Sequence, residues 1–128
     1  MAGGTPIGRV RGLGSAHHGA HHWIVARITA ISNLILMTWL LVSFLLMSDF
    51  SYASVAGWLS SPIAAVPMIL LVISTFYHAK LGLQVLIEDY IHEPGSKFAL
   101  LAALNLAAIG GGAFAAFSVA RLAFTGAA

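Results

Sequence analysis

Residues 77–92 read YHAKLGLQVLIEDYIH. This stretch places an imidazole, His78, inside a long apolar run and closes that run with the acidic-aromatic pair Asp89-Tyr90. Ionisable groups at membrane depth are costly and usually mark function. The spacing matters too. Asp89 follows His78 by 11 residues, so on a helix the two side chains fall within roughly 20° of each other and roughly 16 Å apart along the axis. One helix face therefore offers a buried metal ligand and, three turns on, a proton-handling pair at the membrane edge.

The rest of the chain is equally apolar. Of its 128 residues 59% are hydrophobic and 8% are charged, with a mean hydropathy of +0.92. A water-soluble domain of this length could not hide so much apolar surface. There is no cysteine, which excludes disulfides, thiolate-ligated iron-sulfur clusters and covalent haem attachment through Cys-x-x-Cys-His. The net charge of +2 is small and does not suggest nucleic acid binding.

Working outward from the quoted stretch, Ile28 to Ser48 is an uncharged run of 21 residues, enough to cross ~30 Å of hydrocarbon as a helix. Trp23 and Trp39 are candidates for interface anchoring or packing. Asp49 to Ser61 reads as a short loop with Trp58 near its end. The second span runs from about Pro62 to Ile87, with Pro accommodated in its first turn and Pro67 able to kink its start. Glu88 to Ser96 is a polar link broken by Pro94-Gly95. Phe98 to Ala120 is the third uncharged run, and Arg121 ends it. The expectation is an all-α membrane protein with three transmembrane helices, spanning about 28–48, 62–87 and 98–120, in one domain covering residues 23–128.

Residues 1–22 are Gly-rich and carry Arg9, Arg11 and the doublets His17-His18 and His21-His22. They read as a flexible leader on the membrane surface. The following apolar run is too long for the core of a cleaved secretory signal. The leader also lacks the Arg-rich amphipathic helix of a mitochondrial presequence. Basic residues lie in the leader, at Arg27 and at Lys97, and none lies in the first link. The positive-inside rule then puts the N-terminus and the second link in the cytoplasm and the C-terminus in the periplasm, Arg121 alone counting against it. In the third run Ala108, Gly112, Ala116 and Ala120 recur at four-residue spacing, a stripe that permits close helix contact but also fits plain Ala-rich composition.

Each candidate group has a bland alternative. A lone His in an apolar helix is often a hydrogen-bonded packing residue. Around His78, however, Ser74 and Gly82 lie four residues before and after it, leaving room for a flat macrocycle against the helix. One imidazole does not define a zinc site, but it suits a b-type haem whose second axial ligand comes from a partner. Arg27 is either a topology charge snorkelling to headgroups or a clamp for haem propionates. Tyr90 could donate to a quinone carbonyl while Asp89 relays a proton; otherwise they are a belt aromatic beside a solvated acid. The His doublets could bind a transition metal. Lys80 lies roughly 200° around the helix from His78 and must snorkel or pair elsewhere. Glu88, His92 and Glu93 read as solvated headgroup-level residues.

Two blocks carry a family resemblance. Residues 14–30, GSAHHGAHHWIVARITA, are similar to a pre-helix segment ending in Arg-x-Thr-Ala. Residues 78–90, HAKLGLQVLIEDY, match a His, Gly, Asp-Tyr signature in register. Together they cover about a quarter of the chain, which resembles the D-type hydrophobic membrane anchor of succinate dehydrogenase, respiratory complex II, in its alphaproteobacterial and mitochondrial branch. The resemblance implies half of a heterodimeric haem-binding bundle. His78 would be an axial ligand of haem b, with the other axial His from a cytochrome b-type C anchor subunit. His21 (or its neighbour His22) and Arg27 would meet the propionates, and Tyr90 and Asp89 would meet ubiquinone. The iron-sulfur and flavoprotein subunits would complete the complex, in the bacterial inner membrane in preference to the mitochondrial one. Rival readings are a fumarate reductase-type anchor, a small proton-linked transporter or channel subunit using His78 and Lys80, and a purely structural anchor.

Overall fold

The computed structural model describes Ile7 and residues 19–126. Arg9, Arg11 and the His17-His18 doublet lie outside them. Among the described residues the secondary structure is all helical, in the order α1 (Gly19–Leu45), α2 (Tyr52–Leu59), α3 (Pro62–Tyr90) and α4 (Pro94–Thr125). α1, α3 and α4 are each long and apolar enough to cross a membrane, as the hydropathy pattern predicts.

The helices outrun the uncharged stretches. α1 begins at Gly19, inside the stretch read as leader, so His21 and His22 are helical. α4 begins at Pro94 and runs to Thr125. Loss of charge marks the hydrocarbon layer, whereas a helix continues into water as long as its ends are capped. Glu93 supplies such a cap for α4. Its carboxylate accepts from the backbone N–H of Gly95 at 2.9 Å and from that of Ser96. Hydrogen bonding from Ser96 first, and then from Gly95, holds the Glu93 carboxyl below its ordinary range, because these bonds favour the charged form. At the other side of the turn the Lys97 Nζ donates to the Glu88 carbonyl at 3.1 Å, satisfying a terminal carbonyl of α3. Glu88 and Glu93 are thus exposed, as expected, but each also serves in the turn.

The first link is not a plain loop. It contains α2, which the sequence reading did not resolve. The carboxylate of Asp49 accepts from the Ser51 N–H at 2.7 Å and from the Ser54 hydroxyl at 2.9 Å. Ser51 in turn caps α2 by accepting from the Ser54 N–H. Bonding from Ser51, and then from Ser54, keeps Asp49 below the usual carboxylate range. The helix is fastened by aromatics: Trp58 stacks on Trp39 of α1 at 5.5 Å and leans on Phe44 at 5.9 Å. Eight residues carry too short an apolar period to announce themselves.

α3 lies between α1 and α4 and packs on both, while among the described residues the α1 and α4 backbones stay apart. Thr29 meets His78 and Asn33 meets Thr75, so α1 and α3 run antiparallel. Phe76 of α3 packs over Gly111 and Gly112 of α4, and that pair is antiparallel as well. Several hydroxyls inside the spans are satisfied within their own helices: Thr38 donates to the Leu34 carbonyl at 2.7 Å and Ser118 to that of Phe114 at 2.8 Å. Such self-satisfaction is what a bilayer demands. Among the described residues the buried side chains are only Ala56, Leu59, Ala64, Ala65, Leu71 and Leu81. A bundle with so little interior keeps most of its apolar side chains outward, an arrangement suited to lipid.

Candidate functional site

The seam between α1 and α3 is polar at one level. Ser74 and His78 are one turn apart on α3, and both reach Thr29 of α1. The Ser74 hydroxyl donates to the Thr29 carbonyl at 3.3 Å, and His78 Nδ1 lies 2.9 Å from Thr29 Oγ1. The Thr29 hydroxyl also lies 2.9 Å from the Val25 carbonyl and 3.1 Å from that of Ala26. A turn away, Thr75 donates to the Asn33 side-chain oxygen at 3.4 Å. Interhelical bonds of this kind in membranes contribute on average about 0.6 kcal/mol each. They fix the register of α1 against α3 at the level of His78.

His78 is half-buried. Gly82, one turn further along α3, is exposed, and a Cβ built there would meet nothing within 4 Å. The side of α3 beside the imidazole is therefore open to a flat group. Ser74 serves differently from the sequence reading: its hydroxyl is bonded to α1. Among the described residues no three His, Cys, Asp or Glu side chains converge on a point. A bare ion needs several protein ligands, whereas haem iron draws four nitrogens from its macrocycle and asks a chain for one imidazole. The donor set present here fits haem.

The remaining candidates sit toward the shared end of α1, α3 and α4. Arg27 precedes Thr29 by two residues, about 3 Å along the axis but roughly 200° around it. Its guanidinium lies over the Trp23 ring, 5.2 Å from the centroid. His21 is exposed; His22 is half-buried and shares the Thr29 stripe, two turns away. Asp89 and Tyr90 close α3, both exposed, Tyr90 to 76%. Tyr90 lies about 18 Å along α3 from His78. Among the described residues no hydrogen bond or ion pair connects His21, Arg27, Asp89 or Tyr90 to His78. The five share one half of the molecule but form no single cluster within this chain.

Lys80 turns away from His78 as its spacing requires. Its ammonium stands 5.7 Å from the centroid of the Tyr77 ring. Lys80 and Tyr77 line a groove of about 290 Å³ between α3 and α4, floored by Ala108 and Gly112. A cation over an aromatic face is an accommodation available to a lysine within an apolar span. Thr29 is the site residue that sequence reasoning passed over. Its signal was present in the Arg-x-Thr-Ala block, where only Arg27 received a role.

Comparison with known proteins identifies a family. Residues 1–114 match the sequence model described as succinate dehydrogenase/fumarate reductase transmembrane subunit. The chain is 40% identical over 104 residues to a succinate dehydrogenase hydrophobic membrane anchor subunit of Rickettsia bellii, covering 80% of this chain and 82% of that one. A protein of the same description from Rickettsia conorii is 35% identical over 86 residues, 66% of this chain and 68% of the relative.

Proposed function

Because the chain belongs to the succinate dehydrogenase/fumarate reductase transmembrane subunit family, we propose that it is the D-type anchor of a succinate:ubiquinone oxidoreductase. It pairs with a cytochrome b-type C anchor subunit, and the two carry the iron-sulfur and flavoprotein subunits. His78 is an axial ligand of a haem b shared between the two anchors. His21 and Arg27 hold the propionates, and Tyr90 with Asp89 contributes to the ubiquinone-reduction site. Succinate oxidation belongs to the other subunits. The membrane is the bacterial inner membrane, with the N-terminus in the cytoplasm and the C-terminus in the periplasm.

The observation that carries the reading is the fixed imidazole at the α1–α3 seam, one nitrogen engaged by Thr29 and the adjacent Gly82 face open. A bound haem supplies a one-electron store at this level of the membrane. The chain's own residues do the rest. His78 presents a nitrogen lone pair from a rigid helix. Arg27 offers a planar cation suited to a carboxylate, since its fork of donors can engage two oxygens at once. Tyr90, exposed at the helix end, can donate its phenolic hydrogen to a quinone carbonyl, stabilising the charge that develops there on reduction. Asp89 beside it is open to water and can pass a proton.

A reduced-minus-oxidised optical spectrum of the purified complex tests the assignment. A b-type band present in the native complex and lost in His78→Leu is expected. A complex that lacks haem yet reduces quinone at the native rate would leave the chain a structural anchor. A fumarate-reducing complex would use the same residues in the reverse direction, and the ratio of succinate oxidation to fumarate reduction distinguishes the two.

A further inference from the structure

Thr29 Oγ1 lies 2.9 Å from His78 Nδ1. An oxygen at hydrogen-bond distance occupies the outward direction of that nitrogen, so iron cannot coordinate there. Resting on the axial role of His78 given above, iron must then take Nε2. A neutral imidazole carries one proton, and coordination at Nε2 leaves it on Nδ1. Nδ1–H therefore donates and the Thr29 oxygen accepts. The threonine's own single hydrogen is free for the Val25 carbonyl, 2.9 Å away. The Ala26 carbonyl, 3.1 Å away, shares that hydrogen, and with iron on Nε2 the direction of the bond between His78 and Thr29 is determined.

We propose that Thr29 is the positioning residue of the haem ligand: it selects the Nε2-coordinating tautomer of His78 and sets the ring's rotation. A second contact supports the role independently. Ser74, one turn from His78, donates to the Thr29 carbonyl at 3.3 Å. α3 thus grips Thr29 at both backbone and side chain, and α1 cannot slide without turning the imidazole. Partners of this kind orient metal-bound histidines and raise their basicity. A more basic imidazole favours ferric iron, so the bond lowers the potential of the bound haem.

The test uses the whole detergent-purified complex and reads haem content, the electron paramagnetic resonance g values of the ferric haem, and its midpoint potential. Thr29→Val removes the hydroxyl at nearly constant volume, and Thr29→Ala is the second hydroxyl-free variant should valine fail to assemble. Haem retention is expected to fall roughly 10-fold or more, with shifted g values and a raised potential in the haem that remains. Thr29→Ser should restore native values. Thr75→Val, which removes the neighbouring Asn33 bond of the same seam, should leave the spectrum unchanged. Native g values, potential and haem content in both hydroxyl-free variants, beside a haemless His78→Leu, would overturn the role of Thr29 alone. Equal shifts in Thr29→Val and Thr75→Val would reduce it to general seam packing and overturn it too. A native complex without a b-type spectrum, or one unaltered in His78→Leu, would overturn the axial assignment and the Thr29 role together.

Discussion

At the scale of single residues, the chain separates groups that are held from groups that are presented. His78 is held: half-buried and bonded across a helix seam. Tyr90 is presented, 76% exposed in the last turn of α3. This difference sets what substitution does. Among the described residues the Tyr90 hydroxyl makes no hydrogen bond, so the effect of removing it should fall on an external substrate. Tyr90→Phe is expected to cut succinate-driven quinone reduction by about 10²-fold, the scale of one lost donor to a developing oxyanion. Dye-linked succinate oxidation by the same preparation should stay at its native rate. Parallel loss of both activities would mean that Tyr90 supports assembly instead. The histidine was legible in the sequence because an ionisable group stands out in an apolar run. Its threonine partner was not, because a hydroxyl in a helix usually satisfies itself on its own backbone. Thr29 does that too, and only the approach of α3 gives it a second bond.

At the scale of elements, close packing rests on α4 glycines. The stripe expected at Ala108, Gly112, Ala116 and Ala120 is partly engaged, with Gly112 under Phe76. The tightest approach is at Gly111, off the stripe. A Cβ there would stand 2.7 Å from Phe76 Cε1, against 3.4 Å for the nearest approach at Gly112, and nothing lies within 4 Å at Gly110. Alanine at either Gly110 or Gly111 gains helix propensity, about 1 kcal/mol. At Gly111 the ring must also move, and overpacking of that kind costs about 1–3 kcal/mol. The expected order of melting temperatures, followed by circular dichroism on the solubilised complex, is Gly110→Ala above native and Gly111→Ala below it. Adding Phe76→Leu to Gly111→Ala should recover part of the loss. If the two alanine variants melt together, the Phe76 contact carries no packing constraint. The short α2 teaches the complementary point. Its Asp49-Ser51-Ser54 cap is readable afterwards as a local helix start, yet Trp58 finds its place only because Trp39 and Phe44 of α1 stand opposite.

At the scale of the whole molecule, the described residues bury only six side chains, all Ala or Leu, four on α3 and two on α2. α1 and α4 flank α3 with their backbones apart, so outward faces of both remain available to lipid and to companion subunits. Polarity is also distributed by end. Arg27, Lys97, Asp89 and Tyr90 share one end, while α2 and Arg121 occupy the other. The absence of cysteine makes the orientation directly measurable by single-cysteine labelling. In sealed cells, a membrane-impermeant maleimide added outside should modify Ala53→Cys and spare His92→Cys. In inverted vesicles the pattern should reverse. Labelling of His92→Cys from outside would invert the orientation that places Tyr90 at the cytoplasmic face.

Hydropathy by itself determined the number of spans and their approximate limits, because transferring charge into hydrocarbon is so costly that long uncharged runs have few alternatives. The sequence likewise singled out His78, Arg27 and Asp89-Tyr90 by residue type and register. Only the tertiary structure decided what touches what: that Thr29 meets the imidazole, that Phe76 approaches Gly111 more closely than the regular stripe, and that the link between Asp49 and Ser61 contains a short helix whose Trp58 stacks on Trp39. Those outcomes depend on distances between segments remote along the chain, and in an apolar span nearly every face is equally greasy. The pattern that reveals the membrane therefore conceals which face meets which neighbour.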